Sequence, residues 1–319
     1  MKYNRLLSNI LSKEISQSAF LFGPRGTGKT SFLKEMFPDA LYVDLLEAPI
    51  RRELQSNPTR LDALIPPNFD QVIILDEVQR VPELLDEVHR LIESRKLRFI
   101  LTGSSARKLR QQGVNLLAGR AYLYHMHPLT SVELGDDFHI KKALTEGMLP
   151  SVYTYVQPEH YLKSYVDVYL REELIQEGLL KKDNVFVRFL EVASLSQGEV
   201  INYSEIAREV RTNQTTISNY FSLLEDMLIA HQIPIFNKRA KRRLLTQSKF
   251  YYFDVGVFRS VRPIGPLDTT QEADGPALET LFLQELKAIN DYYALNYNIY
   301  YWRTHTQLEV DFIIYGEHG

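Results

Sequence analysis

The chain has 319 residues, of which 45% are hydrophobic and 24% are charged, and its formal net charge is -3. This length allows about two or three domains with hydrophobic cores, and the small net charge does not by itself indicate a nucleic-acid-binding protein. Because cysteine is absent and no apolar run approaches the roughly 18 residues of a membrane span, disulfides, thiolate metal sites and membrane partners are not expected, and a cytoplasmic location is predicted.

The first predicted element with a chemical signature is a buried strand at residues 19–22 that leads into GPRGTGKT at residues 23–30. This octapeptide matches the phosphate-loop pattern G-x-x-x-x-G-K-[ST] in full. Its glycines allow backbone N–H groups and the following helix N-terminus to surround phosphates. Lys29 is predicted to reach the β- and γ-phosphates and Thr30 to hold Mg²⁺, whereas the alternative is a glycine-rich turn before a helix. The predicted nucleotide-binding residues here are Gly23, Pro24, Arg25, Gly26, Thr27, Gly28, Lys29, Thr30 and Ser31.

A second apolar run, residues 72–75, ends in the carboxylates Asp76 and Glu77. A short continuous apolar run is typical of a central parallel strand that is buried on both faces. Asp76 is predicted to support Mg²⁺, and Glu77 to orient or deprotonate the water that attacks the γ-phosphate. An acidic end of a surface strand is the alternative. The two motifs together predict ATP and Mg²⁺ as cofactors and Lys29 and Glu77 as catalytic residues.

A third strand is predicted at residues 99–101, after an amphipathic helix at 82–96, and it ends in the polar tip TGSS. A further strand, at residues 41–45, lies between the two nucleotide motifs. This order resembles the additional-strand P-loop ATPases, the AAA+ group among them. The resemblance implies that Thr102 or Ser104 senses the γ-phosphate, although a hydroxyl at a strand end is also ordinary turn chemistry.

An arginine follows in the sequence LAGR, just before an apolar and aromatic strand at residues 121–126. In AAA+ rings an arginine in this region often reaches the γ-phosphate of a neighbouring subunit. The resemblance therefore implies a catalytic role for Arg120, with Arg107 as the second candidate, and a homo-oligomeric ring. Either side chain could equally be an ordinary surface arginine.

Helical segments replace the alternation of strands and helices after residue 130. Tyr161, Tyr165 and Tyr169 recur every four residues in a predicted helix at 160–176, which favours an aromatic packing face over a platform for stacking bases.

The segment from residue 203 predicts two helices, at 203–210 with a serine cap at Ser204 and from 215 to about 229. Their apolar spacing is typical of a helix-turn-helix, and a hairpin at 233–236 and 249–253 completes a predicted winged helix. The hairpin is basic, which suits a DNA backbone, while the second helix lacks Lys and Arg, which predicts weak sequence preference. A lid or a protein contact is the alternative. The basic residues are Lys238, Arg239, Lys241, Arg242, Arg243 and Lys249.

The last segment contains a helix with Glu279, an aromatic strand with Arg303, and a strand with Glu309 and Asp311. With the phosphate loop, VIILDEVQ, ILTGSS and LAGR, it resembles prokaryotic AAA+ ATPases that carry the carboxy-terminal domain of unknown function DUF4143. That resemblance covers nearly the whole chain. It implies a restriction-endonuclease-like fold, in which a helix Glu, a strand Asp and an E-x-K sequence bind metal.

Glu279 and Asp311 match the first two of those metal ligands, but no E-x-K follows before residue 319. We therefore predict that this chain does not cut DNA, and we expect a longer natural protein. The alternative for the acidic residues is that they cap a strand or pair with Arg303.

The predicted fold class is α/β, with an AAA+-type parallel sheet at residues 1–130, a helical region at 131–190, a winged helix at 191–262 and a partial nuclease-like domain at 263–319. The predicted function is Mg²⁺-dependent ATP hydrolysis coupled to DNA binding or remodelling. The alternative is a nucleotide-regulated switch that acts on a protein partner without motor activity. A small-molecule kinase is disfavoured because it would leave the basic winged helix unexplained.

Overall fold

The chain divides into two compact units, Met1–His127 and Pro128–Gly319. Across the described part of the chain, no helix is both long enough and apolar enough to cross a membrane. The computed structural model describes residues 3–11, 17–105, 107, 109, 121–170, 184–237, 248–263, 265, 270–304, 306 and 308–317.

The first unit is an α/β structure around a five-stranded parallel sheet. Its elements are α1 (Ser8–Leu11), β1 (Ser18–Phe22), α2 (Lys29–Met36), β2 (Leu41–Asp44), α3 (Ala48–Ser56), α4 (Arg60–Leu64), β3 (Val72–Asp76), α5 (Leu84–Arg95), β4 (Arg98–Gly103) and β5 (Ala121–His125). The strand order in the sheet is β2-β3-β4-β1-β5. Because β4 lies between β1 and β3, the sheet has the additional-strand arrangement that the order of motifs predicted.

The central strands are buried as their apolar sequences predicted. Every residue of β1 and β3 is buried, and α5 buries leucines and valine along one face. Each fully buried side chain of this size contributes about 1.5 to 3 kcal/mol. Since all five strands run in parallel, their carboxyl ends lie at one edge of the sheet, where ligands of such sheets bind. The segments that follow β1, β3 and β4 therefore share that edge.

The second unit is mainly helical and contains two small antiparallel sheets. The elements are α6 (Ser131–Leu134), α7 (Ile140–Glu146), α8 (Pro158–Ser164), α9 (Asn184–Leu195), α10 (Tyr203–Val210), α11 (Gln214–Asp226), β6 (Ala230–Pro234), β7 (Ser248–Tyr252), α12 (Val255–Val261), α13 (Asp274–Tyr292), β8 (Asn298–Arg303) and β9 (Glu309–Tyr315). One sheet pairs β6 with β7, and the other pairs β8 with β9. Residues from β6, β7, α13 and β8 share one core cluster of Ile233, Tyr251, Leu283 and Tyr301.

The predicted helix at 160–176 is not regular over its described part. α8 ends at Ser164, and a π-helical turn follows at Tyr165–Leu170. The ring of Tyr165 lies 6.2 Å from that of Tyr161 and 6.4 Å from that of Phe253, so these tyrosines form an aromatic packing face. The side chain of Tyr169 and residues 171–176 lie outside the described part.

The helix pair α10 and α11 agrees with the predicted helices, but the predicted cap was wrong. Asn202, not Ser204, caps α10, because its side-chain oxygen accepts the N–H of Glu205 while Ser204 already lies inside the helix. Asn213 caps α11 in the same way. α11 ends at Asp226, slightly before the predicted end near residue 229. The strand β6 then begins at Ala230.

The predicted hairpin also differs in register from the observed one. β6 begins at Ala230, which pairs with Tyr252 of β7, whereas the sequence placed the first strand at 233–236. Ile235 instead bridges Tyr301 of β8, so the chain leaves β7 sooner than predicted. The basic tip at 238–243 lies outside the described residues.

Candidate functional site

The phosphate-loop candidate connects β1 to α2 at the carboxyl edge of the parallel sheet. Gly28 precedes α2 with φ of 92°, a left-handed conformation that disfavours any residue with a Cβ. A Cβ at Gly23 would overlap the carbonyl oxygen of Met126. Thr27 Oγ1 donates to the carbonyl of Pro24 at 2.8 Å and closes the loop on itself. Local sequence therefore dictates a tight loop immediately before a helix N-terminus.

Lys29 is buried beneath this loop and is 6% exposed. Its Nζ donates to the carbonyl oxygens of Gly23 at 2.7 Å and Pro24 at 3.2 Å. The ammonium is thus held in the loop, beside the N–H groups at the start of α2. Of the other predicted contacts, Arg25 is half-buried and Ser31 is exposed in the first turn of α2.

Asp76 at the end of β3 is the polar centre of this edge and is 2% exposed. Its Oδ2 accepts a hydrogen bond from Thr30 Oγ1 at 2.7 Å. The hydroxyl of Tyr42 on β2 also donates to Oδ2, and Thr102 Oγ1 on β4 donates to Oδ1. The two predicted motifs therefore meet, together with the predicted sensor Thr102.

Tyr42 is a site residue that sequence analysis missed. Burial and the neighbouring Asp76 raise the pKa of its phenol well above the ordinary value, so it is a permanent hydrogen-bond donor at neutral pH. A tyrosine two residues before the end of a strand does not by itself indicate a site residue. Its hydrogen-bond partner, Asp76, becomes apparent only when β2 is paired with β3.

Glu77 follows in a left-handed conformation with φ of 62°, which is uncommon for a residue with a side chain. Its backbone N–H donates to Thr102 Oγ1 at 3.3 Å. Its carboxylate accepts a hydrogen bond from Gln79, whose amide also donates to Ser104 Oγ at 3.2 Å. Both candidate sensor residues therefore belong to the hydrogen-bond network around the acidic pair.

The two candidate arginines are less well defined. Arg120 lies outside the described residues, so the structure gives no position for it. Arg107 follows β4, is half-buried, and donates its backbone N–H to Ser105 Oγ at 3.0 Å.

A cavity of about 200 Å³ lies between the N-terminal segment and one face of α2. Arg5 fixes the N-terminal segment here: its guanidinium is buried and donates to the carbonyls of Thr27 at 3.0 Å and His127 at 2.5 Å. Sequence analysis did not single out this segment. The cavity is lined by Tyr3, Asn4, Arg5, Ser8, Phe32, Glu35 and Met36.

The second unit contains a separate charged cluster around Lys249, which is 2% exposed on β7. Its Nζ lies 2.5 Å from Glu309 Oε1, 2.9 Å from Asp311 Oδ1 and 3.9 Å from Glu279 Oε2. Tyr251 donates its hydroxyl to Glu279 Oε2 at 2.7 Å. Burial lowers the pKa of Lys249, but its hydrogen bonds to Glu309 and Asp311 outweigh burial, and the pKa is raised overall.

This cluster corrects one prediction about the hairpin. Lys249 was assigned to the basic surface that would contact DNA, but its ammonium is buried among carboxylates. Glu279 and Asp311, the candidate metal ligands, face that ammonium, and Glu309 also lies 3.5 Å from Arg303. Among the described residues, no group of three His, Asp or Glu side chains is arranged to hold a metal ion.

Comparisons with known proteins match three successive segments of the chain. Residues 16–135 match the profile of an AAA domain, residues 137–268 a domain of unknown function (DUF8612), and residues 274–319 a domain of unknown function (DUF4143). The chain thus combines an AAA domain with a DUF4143 segment, as the motifs implied. The AAA domain contains the phosphate loop and the acidic pair described above, so the first unit is a P-loop NTPase domain.

Related sequences and structures are distant. Uncharacterized proteins of Mycobacterium tuberculosis and Mycobacterium bovis are each 26% identical over 304 residues, which cover 92% of this chain and 66% of theirs. The chain thus spans just under two thirds of the length of these relatives. Among solved structures, the Aeropyrum pernix ORC2 protein in its ADP form has 14% identity and a TM-score of 0.36, covering 86% of this chain and 92% of its own. The Aeropyrum pernix ORC1 protein in complex with DNA has 14% identity and a TM-score of 0.30, covering 80% of this chain and 90% of its own.

Proposed function

We propose that the first unit binds ATP with Mg²⁺ and hydrolyses it, as an AAA+-type ATPase. The observation that supports this most strongly is the 2.7 Å hydrogen bond from Thr30 Oγ1 to Asp76 Oδ2. It joins the phosphate loop to the acidic end of a central strand, at the edge where parallel sheets bind ligands. A P-loop ATPase needs this proximity, because the loop hydroxyl and the strand carboxylate act on one metal ion.

The loop residues 23–31 would bind the phosphates through backbone N–H groups, and Lys29 would supply the positive charge. Its ammonium donates to two neutral carbonyls, and a bond from this cation to an anionic phosphate oxygen would be stronger because both partners are charged. Thr30 and Asp76 would hold Mg²⁺, and they fit it because both present the oxygen ligands that this ion prefers. When bound, Mg²⁺ neutralises charge that develops on the β- and γ-phosphates.

Glu77 would orient or deprotonate the attacking water, and Thr102 and Ser104 would report the presence of the γ-phosphate. The hydrogen bond of Thr102 to Asp76 supports this proposal, because a change at the phosphate would reach both acidic residues through it. Arg120 is proposed to act across a subunit boundary in a homo-oligomeric ring.

The cavity beside α2 is proposed to take the nucleotide base. It begins one turn beyond Lys29, and its lining includes the aromatic residues Tyr3 and Phe32. Aromatic rings can stack on a base, while Arg5 ties the cavity wall to the phosphate loop.

The direct test compares ATP binding and hydrolysis in Lys29→Ala and Glu77→Gln. Lys29→Ala should abolish nucleotide binding. Glu77→Gln should retain ATP and lose roughly 2 to 4 kcal/mol of transition-state stabilisation, about two to three decades in rate. The exposed residues Lys163 and Glu83 provide controls, Lys163→Ala and Glu83→Gln, which should resemble the parent chain. Unchanged hydrolysis in Glu77→Gln would remove this residue from the mechanism.

For the second unit we propose a helical region at 131–190, a DNA-binding winged helix at 191–262 and a partial nuclease-like domain at 263–319. The support is a capped helix pair followed by an antiparallel hairpin, with a polar face exposed at the start of the second helix. The exposed side chains of that face include Gln214, Thr215, Ser218 and Asn219. The whole protein is proposed to act in the cytoplasm.

Measuring the rate of ATP turnover distinguishes a DNA-coupled ATPase from a nucleotide-regulated switch that acts on a protein partner. Steady hydrolysis that single-stranded, duplex or branched DNA stimulates would favour an ATP-driven DNA-remodelling protein. Tight nucleotide retention with negligible turnover, unaffected by DNA, would favour the switch.

A further inference from the structure

Gln79 lies two residues beyond Glu77, in a short 3-10 turn at Val78–Arg80, and is 6% exposed. Its Nε2 donates to Glu77 Oε2 and to Ser104 Oγ at 3.2 Å. One buried amide therefore connects the proposed base that activates water to the polar end of β4.

The neighbouring strand is shaped to admit this amide. A Cβ at Gly103 would overlap Gln79 Oε1, so the glycine of TGSS leaves room for the side chain that begins in the acidic motif. A side chain at position 103 would therefore require the amide of Gln79 to shift.

Packing stability alone does not explain the burial of the Gln79 amide. Gln79 Oε1 is buried and has no hydrogen-bond partner among the described residues. A buried acceptor left unsatisfied costs about 1 to 3 kcal/mol, and such groups in native proteins call for an explanation beyond packing. The other end of the same amide makes two hydrogen bonds, one of them to a carboxylate, which is a strong acceptor.

We propose that Gln79 is a positioning residue for ATP hydrolysis. It holds the Glu77 carboxylate in one orientation and ties that orientation to Ser104, so that the base is fixed relative to the strand that faces the γ-phosphate. This inference depends on the proposed ATPase function. A glutamate side chain otherwise has several rotatable bonds, and misplacing a catalytic group by about 1 Å can lower a rate about 100-fold.

The test measures kcat, KM and nucleotide affinity in Gln79→Met and Gln79→Leu. Neither side chain can donate a hydrogen bond to the carboxylate, and both fill much of the space that the glutamine occupies. We expect kcat to fall about 10- to 100-fold with KM and ATP affinity within about 3-fold of the parent. Gln71→Met is the matched control, since Gln71 is exposed and its amide donates to the adjacent Asp70, and it should leave kcat unchanged.

A double-mutant cycle with Glu77→Gln distinguishes positioning from general damage. If Gln79 acts through Glu77, adding Gln79→Met to Glu77→Gln should change kcat less than about 2-fold. The inference is overturned if kcat is unchanged or rises in both Gln79 variants, or if the two losses multiply. These results leave the ATPase proposal intact, whereas absence of hydrolysis by the parent chain overturns both.

Discussion

At the scale of single residues, Asp76 shows how one carboxylate organises the candidate site. Three hydroxyls donate to it, from Thr30, Tyr42 and Thr102 on three different segments. A carboxylate has about four lone-pair positions, so Asp76 can accept hydrogen bonds from all three hydroxyls. The acidic side chain is therefore fixed before any ligand binds, which limits the reorganisation that binding requires.

Tyr42→Phe tests how much of this fixation comes from the residue that sequence analysis missed. The change removes one donor to Asp76 and leaves the ring in place, so the free energy of unfolding should fall by roughly 1 to 2 kcal/mol. Hydrolysis at saturating Mg²⁺ should stay within a few-fold of the parent, since Thr30 and Thr102 still hold the carboxylate. Denaturant titration and a Mg²⁺ series measure the two effects. Tyr122→Phe, on an exposed ring of β5, is the control, and an equal loss of stability there would contradict the assigned role.

At the scale of elements, the parallel strands and the approximate helix bounds follow from local sequence, whereas the cap of α10 and the register of the hairpin became apparent only in the structure. Asn202 and Asn213 each precede a helix and satisfy an N–H of its first turn, which explains where α10 and α11 begin. β6 and β7 are joined through residues outside the described part, and their register depends on pairing between segments that are distant in the sequence. The proposed DNA contact therefore rests on the charges of the connecting segment and the exposed polar face of α11.

Removing the positive charges of the segment between β6 and β7 tests the proposed DNA contact directly. Gln substitutions at its basic residues should weaken duplex binding equally for unrelated sequences, and the slope of log K against log salt should fall by about one unit per lost phosphate contact. Equal binding at matched salt would instead indicate a protein contact or an internal lid. The substituted residues are Arg239, Lys241, Arg242 and Arg243.

A matched control changes the same number of charges elsewhere and should leave the salt slope unchanged. Lys249 is left intact in both variants, because its ammonium is buried among carboxylates and its loss would disturb the fold. The control positions are the exposed side chains Arg52, Lys96, Lys141 and Lys163.

At the scale of the whole molecule, the Lys249 cluster bears on what the second unit can catalyse. The ammonium occupies the space between Glu309 and Asp311 that a metal ion would need, and its raised pKa keeps it charged at neutral pH. Burial raises the pKa of Glu279, which further disfavours a fully ionised metal-binding set. The cluster therefore connects β7, β9 and α13 through charge pairing.

We predict that the 319-residue chain does not cleave DNA. Mg²⁺ would have to displace a buried lysine that pairs with three carboxylates, and the displaced ammonium would lose those contacts. Incubation of plasmid and branched DNA with Mg²⁺ or Mn²⁺ should give no cleavage above that of Asp311→Ala. Metal-dependent cleavage that disappears in Asp311→Ala would contradict this assignment of Lys249.

The sequence by itself determined the elements whose signals are local. The phosphate loop, the apolar run before Asp76 and Glu77, and the polar end of β4 are short patterns whose chemistry depends on adjacent residues. Their apolar runs were enough to predict the α/β class, because parallel strands are buried on both faces and are nearly continuous in apolar residues. The additional-strand arrangement was implied by the resemblance of the motif order to that of other P-loop ATPases.

Only the tertiary structure decided which distant side chains join those elements. Tyr42 reaches Asp76 across neighbouring strands, Arg5 attaches the N-terminal segment to Thr27, and Gln79 reaches Ser104 through the space left at Gly103. Lys249, which by sequence belonged to a basic DNA surface, is instead neutralised by carboxylates about 30 to 60 residues later in the chain. A charged or polar side chain has no periodic pattern that reveals its partner, so its role depends on the packing that brings the partner within hydrogen-bonding distance.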